Sequence, residues 1–206
     1  LSDDLDRSND AAEIFRRLAR EASAPEERRR AVEHLEVLLE RIGDLDGLRS
    51  HWEAQLEDAD TSQRAALNEK LGELCLHRLG DAEAAARYLE AAARLAPKRT
   101  ELWRSLARLY EAAGRSADVA RVLEAELETG VSPEVERALS SRIAALCTGA
   151  LDDPERARRH YERLIELDPD NGAAQEFLIA RWQEDGRPEE VLRLLERRLD
   201  ALDAQP

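Results

Sequence analysis

Apolar residues recur three and four positions apart along nearly the whole chain, and the apolar-periodic stretches are separated by single Gly or Pro residues. After Gly43, Gly114 and Gly186 the apolar residues sit at matching offsets: Leu48, Trp52 and Leu56; Val119, Leu123 and Leu127; Val191, Leu195 and Leu199. Offsets of four trace one face of a helix. Extended along the chain, the pattern predicts eleven helices over 9–22, 26–42, 44–58, 62–79, 81–95, 99–113, 115–129, 133–149, 153–167, 171–185 and 187–202. Turns this short force neighbouring helices to run antiparallel.

The helices come in a repeating order. The three glycines are spaced by 71 and then 72 residues. Leu79-Gly80-Asp81 through Leu95-Ala96-Pro97 matches Leu151-Asp152-Asp153 through Leu167-Asp168-Pro169 at a shift of 72. The preceding helices agree, with Leu67, Leu71, Leu74 and Cys75 pairing with Leu139, Ile143, Leu146 and Cys147. A period of 72 holding two similar helix pairs is two units of about 36 residues. Ser132-Pro133-Glu134 and Asp153-Pro154-Glu155 read as a capping residue, a Pro at the first helical position and an acid near the positive helix end. Gly43, Gly80, Gly114, Gly130 and Gly186 fall where a left-handed residue ends a helix.

At this point the chain resembles the tetratricopeptide repeat family. Trp103, Leu106-Ala107, Tyr110 and Gly114 match the family's first helix. Leu178-Ile179, Trp182 and Gly186 match it with a bulkier Ile in the small slot, and Leu71-Gly72 with Gly80 match it with one extra residue before the turn. Ala157, Tyr161 and Pro169, like Ala85, Ala92 and Pro97, match the second helix. The alternating longer and shorter units look like the arrays of some bacterial multi-repeat proteins. The resemblance implies an all-α fold: a right-handed α-solenoid of antiparallel helix pairs, with five repeats after a truncated half repeat. The expected divisions are 1–25 for the half repeat, then 26–60, 61–97, 98–131, 132–169 and 170–206 within one domain. Stacked pairs bury a continuous core that no single pair can make. Small residues such as Ala85, Ala107 and Ala157 are expected where helices approach closely, and Tyr110, Tyr161 and Trp182 where gaps need filling.

Composition and charge narrow the function. There are 31 basic and 45 acidic residues, a net charge of −14, spread along the chain with no basic stripe. A nucleic-acid face needs clustered Lys and Arg, so nucleic acid is not an expected partner. Arg28-Arg29-Arg30 follows Glu26 and Glu27 and reads as solvated helix surface. No apolar run is long enough for membrane insertion. The chain begins at Leu1 and contains no Met, which reads as a processed product or a piece of something longer. The expected compartment is the cytoplasm rather than the periplasm, and any targeting segment lies outside this sequence. Cys75 and Cys147, in equivalent slots two pairs apart, read as reduced core thiols. The four His show no metal spacing, and no phosphate-loop, dinucleotide or nucleophile motif occurs. No enzyme activity, metal or cofactor is expected.

The resemblance implies a concave groove, lined mostly by the first helix of each pair, that binds a peptide or another protein. Mapped onto this chain, the groove candidates are Arg30, Glu33, Glu69, Glu73, His77, Glu101, Arg104, Arg108, Ser141, Glu176 and Gln183. Arg104 and Arg108, one turn apart, can hold a carboxylate bidentately. Alternatively they pair along their own helix with Glu101 and Glu111. The expected role is a scaffold or adaptor; the alternative is a regulatory or sensor segment that packs on a partner domain in cis. An apolar N-terminal face is also expected, exposed or covered end-to-end by a second copy. The last helix, with Arg and Glu on its outer side, is expected to cap the stack.

Overall fold

The computed structural model describes the backbone of residues 2–203 and the side chains of residues 8–197 and 199. Leu1, the first side chains of the expected half repeat, and the end of the last unit lie outside the described residues. Eleven α-helices follow one another among the described residues, with no strand. They are α1 Ser2–Glu21, α2 Pro25–Ile42, α3 Leu45–Asp58, α4 Thr61–Leu74, α5 Ala82–Leu95, α6 Thr100–Ala112, α7 Ser116–Leu127, α8 Pro133–Thr148, α9 Pro154–Leu167, α10 Gly172–Glu184 and α11 Pro188–Asp203. Each corresponds to one helix expected from the apolar pattern. The fold is an all-α helical repeat.

The chain forms two compact units, Leu1–Leu102 and Trp103–Pro206. In the first, each of α1 to α4 packs on the next helix in order. Its core gathers Ala12 of α1, Leu35, Leu38 and Leu39 of α2, Leu48 and Trp52 of α3, and Leu67, Leu71 and Leu74 of α4. In the second, α7 packs on α8, α8 on α9, α9 on α10 and α10 on α11. Among these pairs the contact is most extensive between α1 and α2, α4 and α5, and α8 and α9. Small buried residues permit those approaches: Ala12 and Ala31; Gly72, Ala85 and Ala92; Ala144 and Ala157. Tyr110, Tyr161 and Trp182 are buried as expected of gap fillers. Tyr161 stacks at a tilt on Phe177 of the next helix, with ring centroids 4.6 Å apart.

The helix ends follow the sequence punctuation. Asp153 accepts a hydrogen bond from the Arg156 backbone N–H at 3.0 Å, and Ser132 accepts one from Val135 at 3.5 Å. The five glycines expected in the left-handed region all have positive φ. The extra residue before Gly80 is absorbed as a π turn, Cys75–Leu79, that continues α4. An inserted residue widens one turn of a helix and leaves the rest in register. One period later α8 ends at Thr148, and Asp152 holds the place of Gly80 with φ 48°. The following N–H closes the same bond in both copies: Asp81 N–H to the Cys75 carbonyl and Asp153 N–H to the Cys147 carbonyl, each at 2.9 Å.

The last helix adds an exposed apolar stripe to its outer Arg and Glu residues. Leu192, Leu195 and Leu199 of α11 are exposed at 58%, 40% and 61%. Leu195 and Leu199 continue the stripe that is buried at Leu48 and Val119 in earlier units, but no described helix covers them. The helix therefore presents apolar surface beside the exposed Arg193, Glu196 and Arg197. On α1, Ile14 is 60% exposed, whereas Phe15 lies against His34 of α2 with ring centroids 5.3 Å apart.

Candidate functional site

A cleft of about 430 Å³ opens in the second unit between α6, α7 and α8. From α6, Arg104, Ala107, Arg108 and Glu111 line it on one face, because residues three and four apart share a side of a helix. From α8 come Glu134, Val135, Ala138, Leu139 and Arg142, again one helical face. Leu123 and Glu126 of α7 complete it. The walls are apolar and the charged groups are three arginines and three glutamates.

The charges are not equivalent. Arg142 reaches across from α8 and pairs with Glu111 of α6. Glu111 is therefore engaged between helices, not along its own helix. Arg104 and Arg108 are exposed and form no ion pair or hydrogen bond among the described residues. Glu126 is 2% exposed, and its carboxylate accepts no hydrogen bond among the described residues. Burial pushes its carboxyl pKa up, against the opposing fields of Arg104 and Arg142. The first-helix pattern pointed to the two arginines but not to Glu126. The signal for it was present: Val119, Val122, Leu123 and Glu126 are one stripe at helical spacing, and the fourth is acidic.

The remaining groove candidates lie apart from this cleft. Glu69 is held bidentately by Arg99 at 2.6 and 2.7 Å, and Glu33 lies 3.8 Å from Arg29. Arg30, Glu73, Glu101, Ser141, Glu176 and Gln183 are exposed, as is His77 in the π turn. None of these lines this cleft or the larger one in the first unit.

A larger cleft, about 1050 Å³, lies in the first unit between α1, α2, α3 and α4. Its α4 wall (Gln63, Ala66, Leu67, Lys70) is the same face as Val135, Ala138, Leu139 and Arg142 one period later. Its basic groups are already matched within the unit, while Asp58 has no side-chain partner among the described residues. Arg16 pairs with Asp44 at 3.2 Å, Arg28 donates to the Ala22 carbonyl at 2.9 Å, and Lys70 pairs with Glu36 at 3.4 Å and lies over the Trp52 ring. Burial lowers the His51 pKa against the pull of Glu36, which favours the neutral ring. Cations that are satisfied internally have less to offer an acidic ligand.

Both cysteines are free and buried, and burial raises both thiol pKa values. Among the described residues no group of three His, Cys, Asp or Glu side chains is placed to hold a metal ion. No described helix is long and apolar enough to cross a membrane.

Helix pairs repeating in this order, with small residues at the tight crossings, define an α-helical repeat protein. The sequence signature of the tetratricopeptide repeat matches residues 76–141 and, separately, residues 143–171. Over those residues the chain carries tetratricopeptide repeats. No curated protein matches it. Similar solved structures include MamA protein, at 14% identity over 93% of this chain and 92% of that one, with a TM-score of 0.40. A tetratricopeptide repeat protein from Parabacteroides merdae aligns at 16% identity over 99% of this chain and 80% of that one, with a TM-score of 0.43. BtubC from P. vanneervenii aligns at 17% identity over 98% and 92%, with a TM-score of 0.40.

Proposed function

We propose that this chain is a non-enzymatic scaffold or adaptor module that binds a peptide segment of another protein in the α6–α8 cleft. The observation that carries this reading is the pair Arg104 and Arg108. Two guanidinium groups one turn apart stand beside a formed apolar cleft with no carboxylate engaged. They are free to grip an acidic side chain or a terminal carboxylate. Ser141, exposed on α8, extends the candidate surface away from the cleft. The family's usual role as a binding scaffold agrees with this.

The exposed Leu192, Leu195 and Leu199 stripe favours a second use, as a regulatory segment that packs α11 on a partner domain in cis. End-to-end association of two copies through the exposed Ile14 end of α1 belongs to the same class of reading. Peptides selected from a randomised library test the main proposal. Calorimetric titration of a selected peptide should show affinity falling about tenfold or more in the Arg104→Ala/Arg108→Ala variant. Unchanged affinity in a folded double variant refutes the assignment of the cleft.

A further inference from the structure

The floor of the α6–α8 cleft differs in kind from its rim. Glu126 lies there 98% out of contact with solvent, since its exposure is 2%, and without a hydrogen-bond partner among the described residues. Its carboxylate oxygens keep contact with the open cleft, and with no protein donor on them they are placed to accept one from a bound segment. Arg104 and Arg142 act on Glu126 through their fields alone. Architecture does not force this arrangement. At the matching offset after Gly43 stands Gln55, whose amide lies 2.7 Å from the His51 ring and 3.3 Å from Glu36. There the polar group is satisfied within its own unit; at Glu126 it is not.

We propose that Glu126 is the specificity-determining group of the cleft, accepting the ammonium or guanidinium of a Lys or Arg side chain on the bound peptide. Arg104 and Arg108 take an acidic group a few residues away on the same peptide. The inference rests on the peptide-binding reading above and names its ligand class: a short segment with a base and an acid close together. The opposite polarity fails on the floor. An acidic group there adds a second negative charge beside a buried carboxylate, which the low dielectric penalises and which forces Glu126 to take up a proton. An apolar group leaves the carboxylate dry and unpaired. A basic side chain satisfies the acceptor and lays its methylene stem along Ala107, Leu123, Val135 and Leu139. The rim does not turn it away, because Arg142 is neutralised by Glu111 and Glu134 adds a further acid to the lining.

The test is selection from a randomised nine-residue peptide library, read by sequencing the retained pool. Wild-type protein should enrich peptides with Lys or Arg within a few residues of Asp or Glu. The isosteric Glu126→Gln variant should lose the basic preference and keep the acidic one. Arg104→Ala/Arg108→Ala should do the reverse. Glu128→Gln removes the same charge from an exposed position outside the cleft and should leave the pool unchanged, which separates a local effect from the net charge of −14. A wild-type pool without basic enrichment overturns the inference while leaving peptide binding standing, and it needs no variant to fold. So does a basic preference that survives in Glu126→Gln. No enrichment of any kind by the wild-type protein overturns both this inference and the binding reading beneath it.

Discussion

Gly72 of α4 is packed so closely on α5 that a methyl group there meets the side chain of Leu89. A Cβ built on Gly72 falls 2.6 Å from Leu89 Cγ and 2.8 Å from Cδ2, with the Ala85 carbonyl oxygen at 3.4 Å. Ordinary carbon contacts lie at about 3.5–4.0 Å, so the overlap is about 1 Å. Leu89 is 3% exposed, and the clashing Cγ is the branch point of its side chain, not a free end. Overpacking of this kind costs about 1–3 kcal/mol. Against it, Ala is favoured over Gly inside a helix by about 1 kcal/mol. Gly72→Ala should therefore destabilise the protein by about 1 kcal/mol net. The same change made in a Leu89→Ala background meets no clash, and there it should stabilise by about 1 kcal/mol. Leu89→Ala alone should cost about 2–5 kcal/mol through the cavity it leaves. Urea denaturation of the four proteins, followed by circular dichroism, measures the cycle. The reasoning predicts a sign change between backgrounds and a coupling of about 2 kcal/mol. If Gly72→Ala stabilises in both backgrounds, with coupling below about 0.5 kcal/mol, the close α4–α5 approach described here is wrong.

Three further outcomes follow from particular residues. Asp152 occupies the left-handed place that Gly80 fills one period earlier, so Asp152→Gly should raise stability by about 1 kcal/mol and Gly80→Ala should lower it by a similar amount, both readable as Tm shifts. The folded-state pKa of Glu126 lies above its unfolded value, so its native form holds the proton more tightly and stability falls as pH rises from the ordinary carboxylate range through the raised pKa. Arg104, Arg108 and Glu111 of α6 and Glu134 and Arg142 of α8 line the same cleft and are common to both proteins. Glu126→Gln should therefore gain on wild type by about 1 kcal/mol or more near pH 7, and the gain should vanish once the pH falls below the carboxylate range; a pH-independent difference contradicts it. Cys75 and Cys147 are 0% exposed with raised thiol pKa values, so iodoacetamide should label neither in the native protein and both in denaturant; rapid native labelling would place them outside the core.

The helices were legible because the apolar spacing, the capping Asp and Ser residues and the five left-handed glycines all point the same way. The single extra residue before Gly80 was visible too; that the chain absorbs it as a π turn at Cys75–Leu79 became clear only from the backbone. The site was less legible. Arg104 and Arg108 share a face by spacing alone, but the partner of Glu111 was not Arg108 on its own helix; it was Arg142, 31 residues on. Contacts between helices depend on crossing geometry, which an apolar pattern does not specify. Glu126 was hidden for a related reason. An acid on an apolar stripe looks like an edge position until the neighbouring helices show it to be buried. The stripe of α11 misled in the other direction, since its spacing matches buried stripes elsewhere and no described helix covers it.

Binding at the α6–α8 cleft requires that a ligand meet Arg104 and Arg108. The most direct measurement is a titration of isotope-labelled protein with a library-selected peptide, following the arginine side-chain Nε–H resonances. The account predicts that the Arg104 and Arg108 signals shift together and saturate with the peptide, while that of Arg181, tied to Glu155 and Glu184 on α9 and α10, stays still. Saturable binding that leaves Arg104 and Arg108 unmoved contradicts it.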